Sequence, residues 1–189
     1  AVSLPGTAKS YQAGLALDTE RQTLYVTDWE SDRVLAISLP DGAEKRSLSL
    51  DPRTRPGRLL LAPDGKRLYA ALWGAAKVLE LDPETLATRR EIAVGAHPNA
   101  LLLAKDRLFV SCGNEDAVFV VDAGDGHLRE RVKLSLTPEA PAGSTPSALA
   151  LTPDGRTLAV ACSDLNAVAL LDVAEEERTR VAGYLPTAW

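Results

Sequence analysis

The groups in this chain that could do chemistry are few. Its only imidazoles are His97 and His127. His97, in GAHPNALLL, could bind an anion or serve as a base, or simply satisfy a backbone group at a turn. His127, in GDGHL, lies in a loop leading to an outer segment and is the weaker candidate. Arg55, in DPRTRPGR, could grip a carboxylate or phosphate through parallel N–H donors; the same run also reads as solvated charge beside acidic turns. Trp29 and Trp73 share one register in the loops TDWESDR and ALWGAAK, where an indole either packs over a neighbouring element or anchors a partner.

Asp28, Glu30, Asp32, Glu115, Asp116, Asp164 and Asn166 fall in equivalent loops. Calcium needs about six to eight converging oxygens, and these are spread over separate segments with no EF-hand pattern. No cofactor or metal is therefore expected, with calcium the minor alternative. Nothing matches a G-x-S-x-G nucleophile turn, a phosphate-cradling glycine loop or H-E-x-x-H, so no catalytic residue is assigned. Cys112 and Cys162, in FVSC and AVAC, hold one register of successive segments. They read as small buried thiols, too far apart for a disulfide.

What must position these residues is a repeat. QAGLALDTERQTLYVTDWESDRVLAIS, PGRLLLAPDGKRLYAALWGAAKVLELD, PNALLLAKDRLFVSCGNEDAVFVVD and PSALALTPDGRTLAVACSDLNAVALLD superpose, starting at Gln12, Pro56, Pro98 and Pro146 with spacings of 44, 42 and 48 residues. Such spacings suit an all-β unit of four short strands, the blade of a β-propeller, and not a helical repeat. First strands are expected near 14–18, 58–62, 100–104 and 148–152. Second strands centre on Tyr25, Tyr69, Phe109 and Ala159. Third strands begin at 33, 77, 117 and 167 and end at Ser38, Asp82, Asp122 and Asp172. Outer strands fit 45–50, 87–94, 129–134 and 178–184, where basic side chains keep their charge in water while their stems cover apolar surface. The aspartates closing the third strands read as turn caps. TPEAPAGSTPS reads as a long loop.

The repeats divide the chain into 11–54, 55–96, 97–144 and 145–189, with residues 1–10 including an outer strand, Val2-Ser3-Leu4, of a preceding blade. That surplus strand and the ending VAGYLPTAW point to a partial propeller whose remaining blades come from the same polypeptide or another chain. Within this register Tyr11, Arg55, His97 and Thr145 each stand just before a first strand, where a propeller opens one mouth of its channel; Asn99 and Ser147 add polar groups nearby.

At 189 residues with 46% apolar content the chain can bury a core, and its net charge of −5 argues against a nucleic-acid partner. No apolar run is long enough for membrane insertion as a helix.

The motif P-x-x-L-x-L-x-P-D-G-x-x-L-Y-V followed by V-x-x-x-D, carried by Pro56–Ala70 with Val78–Asp82 and by Pro146–Val160 with Val168–Asp172, resembles the YVTN (surface-layer, YncE-like) β-propeller repeat family. Gln12 and Asp18-Thr19-Glu20 depart from it in the first copy, and Ala104-Lys105-Asp106 shortens the turn in the third. The resemblance implies a seven-bladed ring, a periplasmic or extracellular bacterial protein, and a place beside a phosphoesterase-like domain. The expected role is a non-catalytic interaction or scaffold module, accessory to a hydrolase domain, taking a protein partner or a small anionic ligand. The alternative is a lactonase-like propeller hydrolase with its site at the central channel.

Overall fold

The computed structural model describes residues 10–137 and 143–187. The expected strand at Val2–Leu4, the middle of TPEAPAGSTPS and Trp189 lie outside them. Sixteen strands form four antiparallel four-stranded sheets among the described residues. The first sheet is β1 (Gln12–Asp18), β2 (Thr23–Asp28), β3 (Arg33–Ser38) and β4 (Glu44–Ser49); the second is β5 (Pro56–Leu61), β6 (Leu68–Leu72), β7 (Lys77–Leu81) and β8 (Thr88–Ala93). The third is β9 (Pro98–Ala104), β10 (Arg107–Cys112), β11 (Ala117–Asp122) and β12 (Leu128–Lys133); the fourth is β13 (Pro146–Leu151), β14 (Thr157–Cys162), β15 (Ala167–Asp172) and β16 (Arg180–Pro186).

Each sheet is a meander because its turns carry the right chemistry. Between second and third strands the chain reverses through a left-handed residue at one repeated position: Asp32, Ala76, Asp116 and Asn166, with φ of 48, 53, 47 and 48°. Asp and Asn tolerate this conformation best among residues with a side chain. In the third and fourth sheets a short 3-10 turn, Gly113–Glu115 or Ser163–Leu165, precedes it. After the third strand the expected carboxylate caps are in place: Asp82 accepts from the backbone N–H groups of Glu84 and Thr85, both at 2.9 Å, and Asp122 from those of Gly124 and Asp125 at 2.7 and 3.0 Å. A bulge recurs where the outer strand joins, at Ala36/Ile37, Val120/Val121 and Leu170/Leu171. It bends that strand away from the sheet.

The chain divides into two compact halves after Ile92. In the first half the core between the two sheets is built from Tyr25, Val34, Leu59, Leu68, Ala70, Leu79 and Leu81. The first strands approach closely: a Cβ on Gly14 would lie 2.1 Å from the carbonyl oxygen of Gly57. Thr27 Oγ1 also donates to that carbonyl at 2.7 Å. Tyr25 reaches across from β2 to donate its phenol to Pro83 O at 2.9 Å.

In the second half Phe109, Val118, Val120, Leu158, Val160, Cys162, Ala169 and Leu171 form the corresponding core. There Arg107 crosses from β10 and donates to Val173 O at 2.6 Å and Glu175 O at 3.1 Å, its guanidinium 5.2 Å from the Phe109 ring centroid. In each half, then, a second-strand side chain satisfies backbone carbonyls beyond the third strand of the next sheet, which ties sheet to sheet with polar contacts at the edge of an apolar core. β6 and β10 are buried along their whole length, whereas β14 alternates, with Leu158, Val160 and Cys162 covered and Ala159 and Ala161 half-exposed. No helix among the described residues is long and apolar enough to cross a membrane.

Candidate functional site

The position before each first strand is built by one repeated hydrogen bond. The carbonyls of Tyr11, Arg55, His97 and Thr145 accept from the N–H groups of Trp29, Trp73, Gly113 and Ser163 at 2.8, 3.1, 3.0 and 3.2 Å. Arg55, His97 and Thr145 are left-handed, with φ of 49, 56 and 44°, an uncommon conformation for residues of these types. At Arg55 and Thr145 it is held in place by carboxylates. Asp32 Oδ1 accepts from the Arg55 N–H at 2.7 Å and Oδ2 from the Arg53 N–H at 2.8 Å. Asp116 accepts from the N–H groups of Gly143, Ser144 and Thr145 and from the Ser144 hydroxyl, at 2.7 to 3.0 Å. Burial works against the charged form of Asp116, but the N–H donors of Thr145, Gly143 and Ser144 outweigh it and hold the carboxyl below its ordinary pKa. Asp28 likewise accepts from the Tyr11 N–H at 3.1 Å.

In the first half this scaffold brings three of the sequence candidates together. The Trp29 and Trp73 rings lie 5.2 Å apart between centroids and tilted at 47°, and the Arg55 Cζ is 5.9 Å from each. Gly57 lies under Trp29, whose Cζ3 a Cβ there would meet at 3.7 Å. Both indoles are half-buried and Arg55 is exposed. The rings attract the guanidinium face while leaving its N–H edge to solvent, an interaction of about 0.5–1 kcal/mol at an exposed site. Among the described residues Arg55 forms no ion pair with a carboxylate. The patch can therefore receive an anionic group at the guanidinium and an apolar or planar one against the indoles. Tyr11 belongs to the same half, with its side chain exposed.

In the second half the polar candidates are engaged locally. Asn99 donates to Pro146 O at 3.1 Å, and Thr145 donates to Asp164 Oδ2 at 2.5 Å. His97 is half-buried, its carbonyl used by Gly113. Several loop acids that might have gathered a cation are engaged elsewhere: Asp28 Oδ1, Asp32 and Asp116 on backbone N–H groups, Asp164 on Thr145 and Glu115 on Arg131. Asp122, Asp125 and His127 present ligand atoms within 4.8 Å of one another. Asp122, however, caps its turn and binds Arg129, and Asp125 Oδ1 lies 2.6 Å from His127 Nδ1. This is a turn-capping network in which cationic and N–H donors already occupy the carboxylates.

The role of Asp32 and Asp116 in holding Arg55 and Thr145 was not visible in sequence; the signal that could have found it is an acid recurring at one loop position of alternate repeats.

No protein-family model matches the sequence, and no curated protein matches it. Solved structures do. A periplasmic gluconolactonase from Pseudomonas aeruginosa is similar at a TM-score of 0.79 and 17% identity, over 95% of this chain and 55% of that one. A streptogramin B lyase is similar at 0.78 and 14%, over 97% and 57%. A putative 6-phosphogluconolactonase from Bacteroides uniformis is similar at 0.75 and 16%, over 98% and 59%. At these identities the likeness shows the fold alone: the four sheets are blades of a β-propeller. The chain spans a little over half the length of these structures.

Proposed function

We propose that this chain is an interaction module of an exported bacterial protein, and that the Trp29–Arg55–Trp73 patch receives an acidic segment of a protein partner. The observation that carries the reading is an exposed guanidinium with no carboxylate partner among the described residues, set beside two half-buried indoles on a loop fixed by Asp32. Aromatic and arginine side chains of this kind are the usual anchors of protein interfaces. The four blades are proposed to belong to a larger ring of YVTN-like repeats, a reading supported by the half-exposed face of β14. A periplasmic location is supported by the repeat resemblance and by the periplasmic gluconolactonase among the similar structures.

Tryptophan fluorescence titrated with an acidic peptide, with a basic peptide as control, tests the module. Arg55→Ala and Trp73→Ala should each weaken the acidic peptide about tenfold, the scale of one lost charge-assisted contact, with the circular dichroism of the sheet unchanged. Equal affinity in both folded variants would remove the patch from consideration. The second reading, a lactonase-like hydrolase, is favoured by the gluconolactonase and 6-phosphogluconolactonase names among the similar structures. Saturable hydrolysis of gluconolactone above the uncatalysed rate would select it.

A further inference from the structure

The aromatic patch asks for two groups at once. Trp29 and Trp73 are tilted at 47° with centroids 5.2 Å apart, and each is half-buried, so part of each flat apolar face is open. The Arg55 Cζ stands 5.9 Å from either centroid. An occupant must therefore bring a compact apolar group to the rings and a carboxylate close beside it. Proline meets the first demand at little entropic cost, because its ring is rigid and its φ is already fixed. Aromatic-lined grooves are a general docking mode for P-x-x-P segments in polyproline II form. The loop that carries the guanidinium is held beforehand: Asp32 accepts from the N–H groups of Arg55 and Arg53 at 2.7 and 2.8 Å and from the Thr54 hydroxyl at 3.2 Å. The contact needs one carboxylate at one guanidinium edge, not an excess of positive charge.

This chain carries one segment of that composition. Of its 12 prolines only Pro138 and Pro141 stand three residues apart, in Thr137-Pro138-Glu139-Ala140-Pro141. Glu139 is also the only charged residue between Lys133 and Asp154. Residues 138–142 lie outside the described ones, but the chain on either side is placed. Leu136 is 59% exposed and Thr137 is exposed. On the far side Asp116 accepts from the N–H groups of Gly143 and Ser144 at 2.7 and 2.8 Å. The other exposed acidic run, Glu175-Glu176-Glu177, contains no proline, and its Glu175 and Glu176 already face Arg180 and Lys105 at 3.6 and 3.2 Å.

We propose that the patch receives residues 138–141 of a second copy of this chain, with Pro138 against the indoles and Glu139 at the N–H edge of Arg55. The inference rests on the patch being a site for an acidic segment, and it names that segment. A second copy is the source because Arg55 is exposed and both indoles are only half-buried within one chain. In polyproline II form Glu139 lies about 3.1 Å further along the segment than Pro138, within reach of a guanidinium that borders both rings. The contact is heterologous, one surface of a copy meeting a different surface of the next. A single short segment buries far less than the roughly 1,200 Å² of stable complexes, so the association is weak.

Titration of the whole chain with the peptide LTPEAPAG, followed by tryptophan emission, tests the segment, with LTPQAPAG and LTAEAAAG as controls. LTPEAPAG should bind saturably, and each control should bind about tenfold more weakly. In Arg55→Gln the difference between LTPEAPAG and LTPQAPAG should vanish, since the partner of the carboxylate is gone. Sedimentation at high protein concentration tests the second copy. Arg55→Glu and Glu139→Lys should each lower self-association with the circular dichroism of the sheet unchanged, and an equimolar mixture of the two should restore it, because each then meets an opposite charge. LTAEAAAG binding as tightly as LTPEAPAG would overturn the proposal while leaving the patch a site for acidic segments. No binding of any of these peptides to the folded chain would overturn both. A mixture that associates no more than its components would overturn the second copy as the source.

Discussion

The backbone N–H of Arg55 lies 2.7 Å from Asp32 Oδ1, so a carboxylate leaving one blade's second loop holds the residue that starts the next blade. Asp116 stands in the same relation to Thr145 at 3.0 Å. Both acids occupy the left-handed position before a third strand, from which a short side chain reaches N–H groups that would otherwise be left without partners beside a packed interface. Asp116 is 6% exposed and accepts four bonds, whereas Asp32 is half-exposed. Hydrogen bonds to a charged acceptor contribute about 1.5–3 kcal/mol, and stranding buried donors adds to the loss. Asp116→Ala is therefore expected to cost about 3 kcal/mol and Asp32→Ala about 1 kcal/mol in urea unfolding. Equal, near-zero losses would show that these contacts do not hold the blades.

Acid should unfold the protein through these caps. The N–H of Thr85 is the main cause that draws the Asp82 carboxyl down from 3.8 to about 2, with Arg89 assisting; Asp18, Asp28 and Asp116 are lowered as well. A carboxyl whose folded pKa lies below its unfolded one contributes stability that is full above about pH 4 and is lost as pH falls through about 2. The urea midpoint should accordingly change little from neutral pH to about pH 5 and fall steeply between about pH 4 and 2. In Asp82→Asn part of that slope should vanish. A midpoint that rises on acidification would contradict the assignment.

The two thiols should be silent in the native state. Cys112 and Cys162 are 0% and 1% exposed, and burial pushes the Cys112 thiol up to about 12 and raises that of Cys162. Since only the thiolate attacks, a chromogenic disulfide reagent at about pH 8 should find no reactive sulfur until denaturant is added, and then two. Prompt reaction of either cysteine in the folded chain would mean that its blade opens locally.

Much of this architecture is legible in the repeat. Arg33–Ser38, Ala117–Asp122 and Ala167–Asp172 span the third strands expected from the superposed segments, and the remaining strands lie within about two residues of expectation, because period-two apolar patterning and Asp-Gly or Asp-Pro turns act over a few residues. The shared register of Trp29 and Trp73 was also visible; their approach to 5.2 Å depends on two blades being neighbours. The Asp32 contact joins residues 23 apart, so no local pattern announces it. The 3-10 turns at Gly113–Glu115 and Ser163–Leu165 were missed because the four loops align without a gap. Lys45 and Arg46 read as solvated edge charge, and both are exposed in the structure.

The contact of Gly14 with Gly57 sets up a graded test of how tightly the inner strands must meet. A methyl at Gly14 would fall 2.1 Å from Gly57 O and 2.9 Å from Thr27 Oγ1. The first of these is backbone and cannot rotate away, and the second belongs to the hydroxyl that donates to the same carbonyl at 2.7 Å. Gly14→Ala must therefore push β1 away from β5 and break the Thr27 bond. Overpacking of this kind costs about 1–3 kcal/mol, with about another 1 kcal/mol for the lost hydrogen bond. At Gly57 the added methyl would meet Trp29 Cζ3 at 3.7 Å and Ala71 O at 3.9 Å, both ordinary contacts; Gly57→Ala should cost less than about 1 kcal/mol yet change the tryptophan emission. Gly183, with nothing within 4 Å, should accept alanine with no loss. The expected order of urea midpoints is thus Gly183→Ala, then Gly57→Ala, then Gly14→Ala lowest. A Gly14→Ala protein as stable as wild type would mean that the two inner strands do not meet at this carbonyl.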